Sequence, residues 1–175
     1  DLWPGVIAGG SLAHAAGVIG GFTSSGYKVR SLGPEPLPGL DRADWEGPAF
    51  EPGTAPRWQR PFAPILYTRK VMEHLRSGQA ATPEIVYARY SLMSRAPIEV
   101  ARHLGRPCVL EVNGLSEWFS AEFRGLRRLV VWPLIRGIER SLVRGARLCV
   151  AISAPVAAQL EALGVPRSRI LVQAN

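Results

Sequence analysis

Residues 106–114, RPCVLEVNG, decide the reading of the fold, because an apolar run carried by Val109, Leu110 and Val112 stops abruptly at the turn pair Asn113-Gly114. The same pattern returns at residues 148–152, where Leu148, Val150 and Ile152 precede Ser153. Near-continuous apolar character is the mark of strands covered on both faces, as in parallel sheets. Between and around these runs the spacing changes to that of helices. Residues 91–104 read as a helix closed by Gly105, and 119–144 as a long helix kinked at Pro133. Ser153 and Pro155 open a further helix that runs to 163 and is stopped by Gly164, and residues 169–173 form a last strand. Strands alternating with helices give the expected fold class: α/β, a doubly wound, mainly parallel Rossmann-like sheet with helices on both faces.

Toward the amino terminus, Leu12, Ala15, Val18, Ile19 and Phe22 are spaced for a helix over 11–25, and 27–32 reads as a short strand. Residues 33–64 hold eight prolines and four glycines, which read as one long loop. Its aromatic residues Trp45, Phe50, Trp58 and Phe62 favour a loop that packs down over something. A helix over 65–77 and a strand over 84–87 complete the set.

The chain has 175 residues, 47% of them apolar and 20% charged, the composition of one domain with a substantial core. No apolar run approaches the roughly 18 residues of a membrane-spanning helix. The chain opens on Asp1, and nothing before Gly9 has the sectors of a signal peptide, so an internal piece of a longer protein is expected. Cys108 and Cys149 each lie in an apolar run, outside any CxxC or Cys/His cluster, and read as buried reduced thiols of a cytosolic protein. Residues 1–90 hold nine basic and eight acidic side chains and 91–175 hold twelve and six, so most of the net charge of +7 falls in the second half.

In an open parallel sheet, ligands sit beyond the carboxyl ends of the strands, which singles out Arg89, Tyr90, Glu111 to Gly114, Ser153, Ala174 and Asn175. Gly9 and Gly10 lie just before a helix, where bare backbone amides either seat an anion or simply reverse the chain. His14 follows one turn later, facing a cleft or satisfied within the fold. Asn113 and Glu117 could hold sugar hydroxyls, and Arg89 could neutralise a phosphate or pair with Glu117. Arg136, Arg140, Arg144 and Arg147 recur along one helical face, opposite Leu134, Ile135, Ile138, Leu142 and Val143. That basic face is either solvated or docks on an anionic membrane surface through Arg136, Arg140 and Arg144. No HExxH, GxSxG, Walker or RNP-like sequence occurs, which removes support for metalloprotease, serine hydrolase, P-loop NTPase and RNA-recognition readings.

The order GGSLAH, GYKVRSLGPEP, a Pro-rich loop, PEIVYARYS, RPCVLEVNGLSEW, RGARLCVAIS and VPRSRILVQAN resembles the amino-terminal domain of a family 4 glycosyltransferase of the GT-B fold, across nearly the whole chain. The resemblance implies a two-domain enzyme of which residues 1–175 are the acceptor-side domain, with the family's first strand missing or reduced to residues 1–8. It further implies that Gly9 and Gly10 approach the donor phosphates and that Asn113 takes a cleft-lining place; with it, His14, Arg89, Tyr90, Gly114 and Glu117, singled out by their positions, make the expected acceptor cleft. Transfer with retention from a nucleotide sugar to a polysaccharide or lipid-linked acceptor is expected, without metal or other cofactor. An Asn at position 113 cannot act as a general base. A cytoplasmic protein, peripheral on the inner membrane face, follows from the same reading. The alternatives are a standalone α/β nucleotide- or partner-binding module and a nucleic-acid-binding domain; the last rests on basic charge alone, and no nucleic acid partner is expected.

Overall fold

The computed structural model describes residues 10–33, 44–48, 63–78, 82–116 and 126–174. Their order is α1 Gly10–Ser24, β1 Ser31–Leu32, β2 Trp45–Glu46, α2 Ala63–Arg76, β3 Val86–Arg89, α3 Ala96–Leu104, β4 Cys108–Val112, α4 Leu126–Gly145, β5 Leu148–Ala151, α5 Ala154–Ala162 and β6 Ile170–Val172, with a 3-10 turn at Arg167–Arg169 before the last strand. Strands β3, β4, β5 and β6 form one sheet in that spatial order, every neighbouring pair parallel. The expected fold class is the observed one.

Register assigns the faces. Leu110 lies opposite Ala88 and Cys149, so Cys108, Leu110 and Val112 share a face with Val86, Ala88, Cys149 and Ala151. Consecutive parallel strands that advance in one direction put each right-handed crossover helix on the same side. Accordingly Ile98 and Ala101 of α3, Leu142 and Val143 of α4, and Val156 and Leu160 of α5 all join the core on this face. Helix α1 is on the other side, where His14 and Phe22 meet side chains of β3 and β4. Helix α2 packs on α3 through a second cluster of Tyr67, Val71, Met72 and Leu75 around Val100.

Local chemistry sets the ends. Gly105, at φ 64°, caps α3 by returning its amide to the carbonyls of the last turn. Ser153 caps α5, its hydroxyl accepting from the Val156 amide at 3.5 Å, with Pro155 in the first turn. Pro97 delays α3 to Ala96, five residues later than periodicity predicts. Strand β3 lies two residues further along than expected. Within the stretch predicted to be all loop, Trp45 and Glu46 pair in parallel with Ser31 and Leu32, and the Trp45 indole donates to the Gly33 carbonyl at 3.1 Å. Apart from residues 33, 44–48 and the opening of α2 at Ala63–Pro64, the Pro/Gly-rich stretch is outside the described residues, as are residues 1–8, where a reduced first strand was expected.

Candidate functional site

Glu111 is the one charged residue of β4, and the pleat turns it away from the apolar face that holds Leu110 and Val112. Register sets it beside Arg89, and alternation along β3 brings Tyr87 to the same face. Glu111 is only 3% exposed, so its charge must be met by protein groups. Tyr87 donates its hydroxyl to Oε2 at 2.7 Å. His14 Nε2, from the second turn of α1, lies 2.9 Å from both carboxylate oxygens and is bonded to Oε2. Arg89 Nε stands 3.7 Å from Oε1. Phe22 packs edge-on against Tyr87 with ring centres 5.6 Å apart, which holds α1 against this face.

Electrostatics agree with the contacts. Burial alone would raise the Glu111 pKa, but hydrogen bonds from His14 and Tyr87 and the charges of His14 and Arg89 outweigh it, and the carboxyl is held below its usual range. Burial, reinforced by the bond and charge of Glu111, pushes the Tyr87 phenol up. An ionised carboxylate only accepts, so the proton of the His14–Glu111 bond belongs to Nε2, and a neutral His14 keeps Nδ1 as an acceptor. Two residues past Glu111, both Asn113 side-chain atoms, Oδ1 and Nδ2, are buried with no hydrogen-bond partner among the described residues. A buried primary amide left in that state costs free energy that a ligand hydroxyl would return. Glu111, His14, Arg89 and Asn113 thus gather at the carboxyl edge of the sheet.

Tyr90 and Arg136 belong elsewhere. The buried Glu139 of α4 accepts from the Ser116 amide, from the Ser116 hydroxyl at 2.8 Å, from the Tyr90 hydroxyl at 2.7 Å and from Arg136 Nη1 at 2.8 Å. Tyr90 was expected in the cleft, but its hydroxyl is committed to this strut, on the face opposite Glu111. Arg136 was expected to face outward, yet it turns to Glu139, whereas Arg140 and Arg144 are exposed. Gly114 follows Asn113 in the turn after β4, half-buried. Gly9, Glu117 and Asn175 lie outside the described residues; Gly10 is the first residue of α1. Tyr87 was not foreseen, although its position two residues before Arg89 on a strand was signal enough. Among the described residues no three His, Cys, Asp or Glu side chains converge as a metal set. No helix there is long and apolar enough to cross a membrane.

The family model for a glycosyl transferase 4-like domain matches residues 9–175. The chain belongs to this family. No curated protein sequence matches it. Membership makes this glycosyl transferase 4-like domain a module of a transferase that handles a sugar donor and an acceptor.

Proposed function

We propose that this glycosyl transferase 4-like domain is the acceptor-binding half of a two-domain, retaining enzyme that moves a hexosyl group from a nucleotide sugar to a polysaccharide or lipid-linked acceptor, without a metal. The observation that carries the reading is the polar cluster around buried Glu111 at the carboxyl edge, with Asn113 beside it offering an unused donor and acceptor. A sugar hydroxyl is both donor and acceptor, which suits an amide and the Nδ1 of a histidine whose Nε2 is engaged. Arg89 keeps positive charge at the same edge. Gly10 opens α1, where backbone amides and the helix dipole favour a diphosphate, so Gly9 and Gly10 are assigned to the donor phosphates. Glu111 is a positioning residue: its ionised carboxylate orients His14 and holds Arg89.

Cytoplasmic localisation, peripheral on the inner membrane face, is part of the proposal and rests on exposed Arg140 and Arg144. The experiment is a transfer assay of the complete enzyme against a panel of nucleotide sugars, with Gly10→Val alongside. Transfer with retained anomeric configuration, reduced in the variant, supports the reading, and inversion or an unaffected variant contradicts it.

A further inference from the structure

The amino-terminal edge of the same sheet carries a separate concentration of charge. A cleft of about 220 Å³ opens there, lined by apolar groups including Ile98 and Ala146 and by Arg102, Arg106, Arg147 and Arg169, with no Asp or Glu among the described residues of its lining. Four different places in the chain supply the arginines. Arg102 is in the last turn of α3. Arg106 follows the left-handed Gly105, its amide tied to the Ala101 carbonyl at 2.8 Å. Arg147 leads into β5, its amide tied to the Cys108 carbonyl at 2.8 Å. Arg169 ends the 3-10 turn before β6 and donates Nη1 to the carbonyls of Arg144 and Ala146 at 3.3 and 3.2 Å. The topology, rather than one helix face, brings them together.

Two nearby surface arginines are paired, Arg95 with Glu99 and Arg167 with Glu161, whereas Arg140 and Arg144 on α4 are exposed without an ion pair among the described residues but lie along a convex helix face rather than around a cleft. Arg102, Arg106 and Arg147 are exposed and form no ion pair among the described residues. The carboxyl end of α3 accounts for Arg102 through its dipole, but Arg106 and Arg147 lie beyond the helices. Like charges held around an apolar cleft repel unless an anion joins them, and guanidinium forks match the oxygens of a phosphate.

We propose that this cleft binds a phosphate group, carried either by a free oligophosphate or by an anionic lipid headgroup. It lies about 13 Å from Glu111, given the ~3.3 Å rise per residue between positions 107 and 111 of the strand, so its ligand does not compete for the carboxyl edge. The site stands independently of the transferase reading, because its readout is binding and not transfer.

The test titrates the complete enzyme calorimetrically with inorganic pyrophosphate and, separately, co-sediments it with vesicles of phosphatidylglycerol or phosphatidylcholine. Arg106→Gln/Arg147→Gln is compared with Arg30→Gln/Arg76→Gln, which removes as much charge from exposed positions elsewhere. Melting curves check that both variants fold. Saturable pyrophosphate binding, weakened about tenfold or more in the cleft variant alone, identifies a free phosphate ligand. Binding only to phosphatidylglycerol vesicles, lost in the cleft variant alone, identifies a lipid headgroup. No binding in either arm, binding that the cleft variant leaves unchanged (which places it at the donor site or at Arg140 and Arg144), or equal losses in the two variants, overturns the proposal and leaves a solvated basic rim.

Discussion

Glu111 turns a strand residue into the centre of a site because burial leaves its charge dependent on His14, Tyr87 and Arg89. Its carboxyl is held below the ordinary range, so the linked stability is present above the unfolded-state pKa and is lost as pH falls through the folded one. Glu111→Gln is expected to lower stability by about 2 kcal/mol at neutral pH, with the gap from the parent closing as pH falls below the ordinary carboxylate range. Thermal melts across pH 3–8 check this, and a gap that persists at the acid end contradicts it. His14→Gln keeps a donor for Glu111 but offers no imidazole Nδ1 to a sugar hydroxyl, so the melting temperature should stay near that of the parent while the acceptor KM rises about tenfold. Much of this cluster was legible. The rule that ligands gather at strand ends reached Arg89, Glu111 and Asn113, and the helix spacing reached His14. Tyr87 was missed although its place two residues before Arg89 puts it on the same strand face, and the pairing of Arg89 with Glu111 needed the register that only the sheet supplies.

Among the elements, α4 is fastened at its middle by Glu139, which gathers Tyr90, Ser116 and Arg136 from three parts of the chain. Glu139→Ala strands those donors and is expected to cost about 3 kcal/mol, read from chemical denaturation. In α4 Glu139 is one acid among five arginines, and nothing in that pattern distinguishes a solvated glutamate from a buried strut. The same strut narrows the membrane-facing set: Arg136 is occupied, and reversing its charge would unseat Glu139. Arg140→Glu/Arg144→Glu is therefore the clean probe, expected to abolish co-sedimentation of the complete enzyme with anionic vesicles while leaving its melting temperature unchanged. Equal partitioning of parent and variant would leave only a solvated face. Element boundaries were read well where a glycine or proline fixes them, at Gly105, Ser153–Pro155 and Gly164. They were read poorly where pairing decides, since β2 is two residues long inside a proline-rich stretch and has no local signal of its own.

At the scale of the molecule, the all-parallel order β3-β4-β5-β6 separates two edges with different chemistry, the Glu111 cluster at the carboxyl ends and the arginine-lined cleft at the amino ends. The apolar runs of β4 and β5 announced this sheet, because strands covered by helices leave no alternation to misread. Which helix covers which face could not be read locally, as it follows from strand order. The core between the sheet and α3–α5 also contains both thiols. Burial pushes Cys108 up to about 12 and Cys149 up to about 11, so neither should react with a thiol reagent at pH 8 until the protein unfolds. Rapid native labelling of either would mean that this core opens.

The central claim is that the carboxyl edge around Glu111 holds the acceptor. Steady-state kinetics of Asn113→Ala in the complete enzyme test it most directly, with donor and acceptor varied in turn. The expected result is an acceptor KM raised about tenfold, the value for one buried hydrogen-bonding group, with the donor KM unchanged. A donor KM that rises instead, or no change in either, would contradict it.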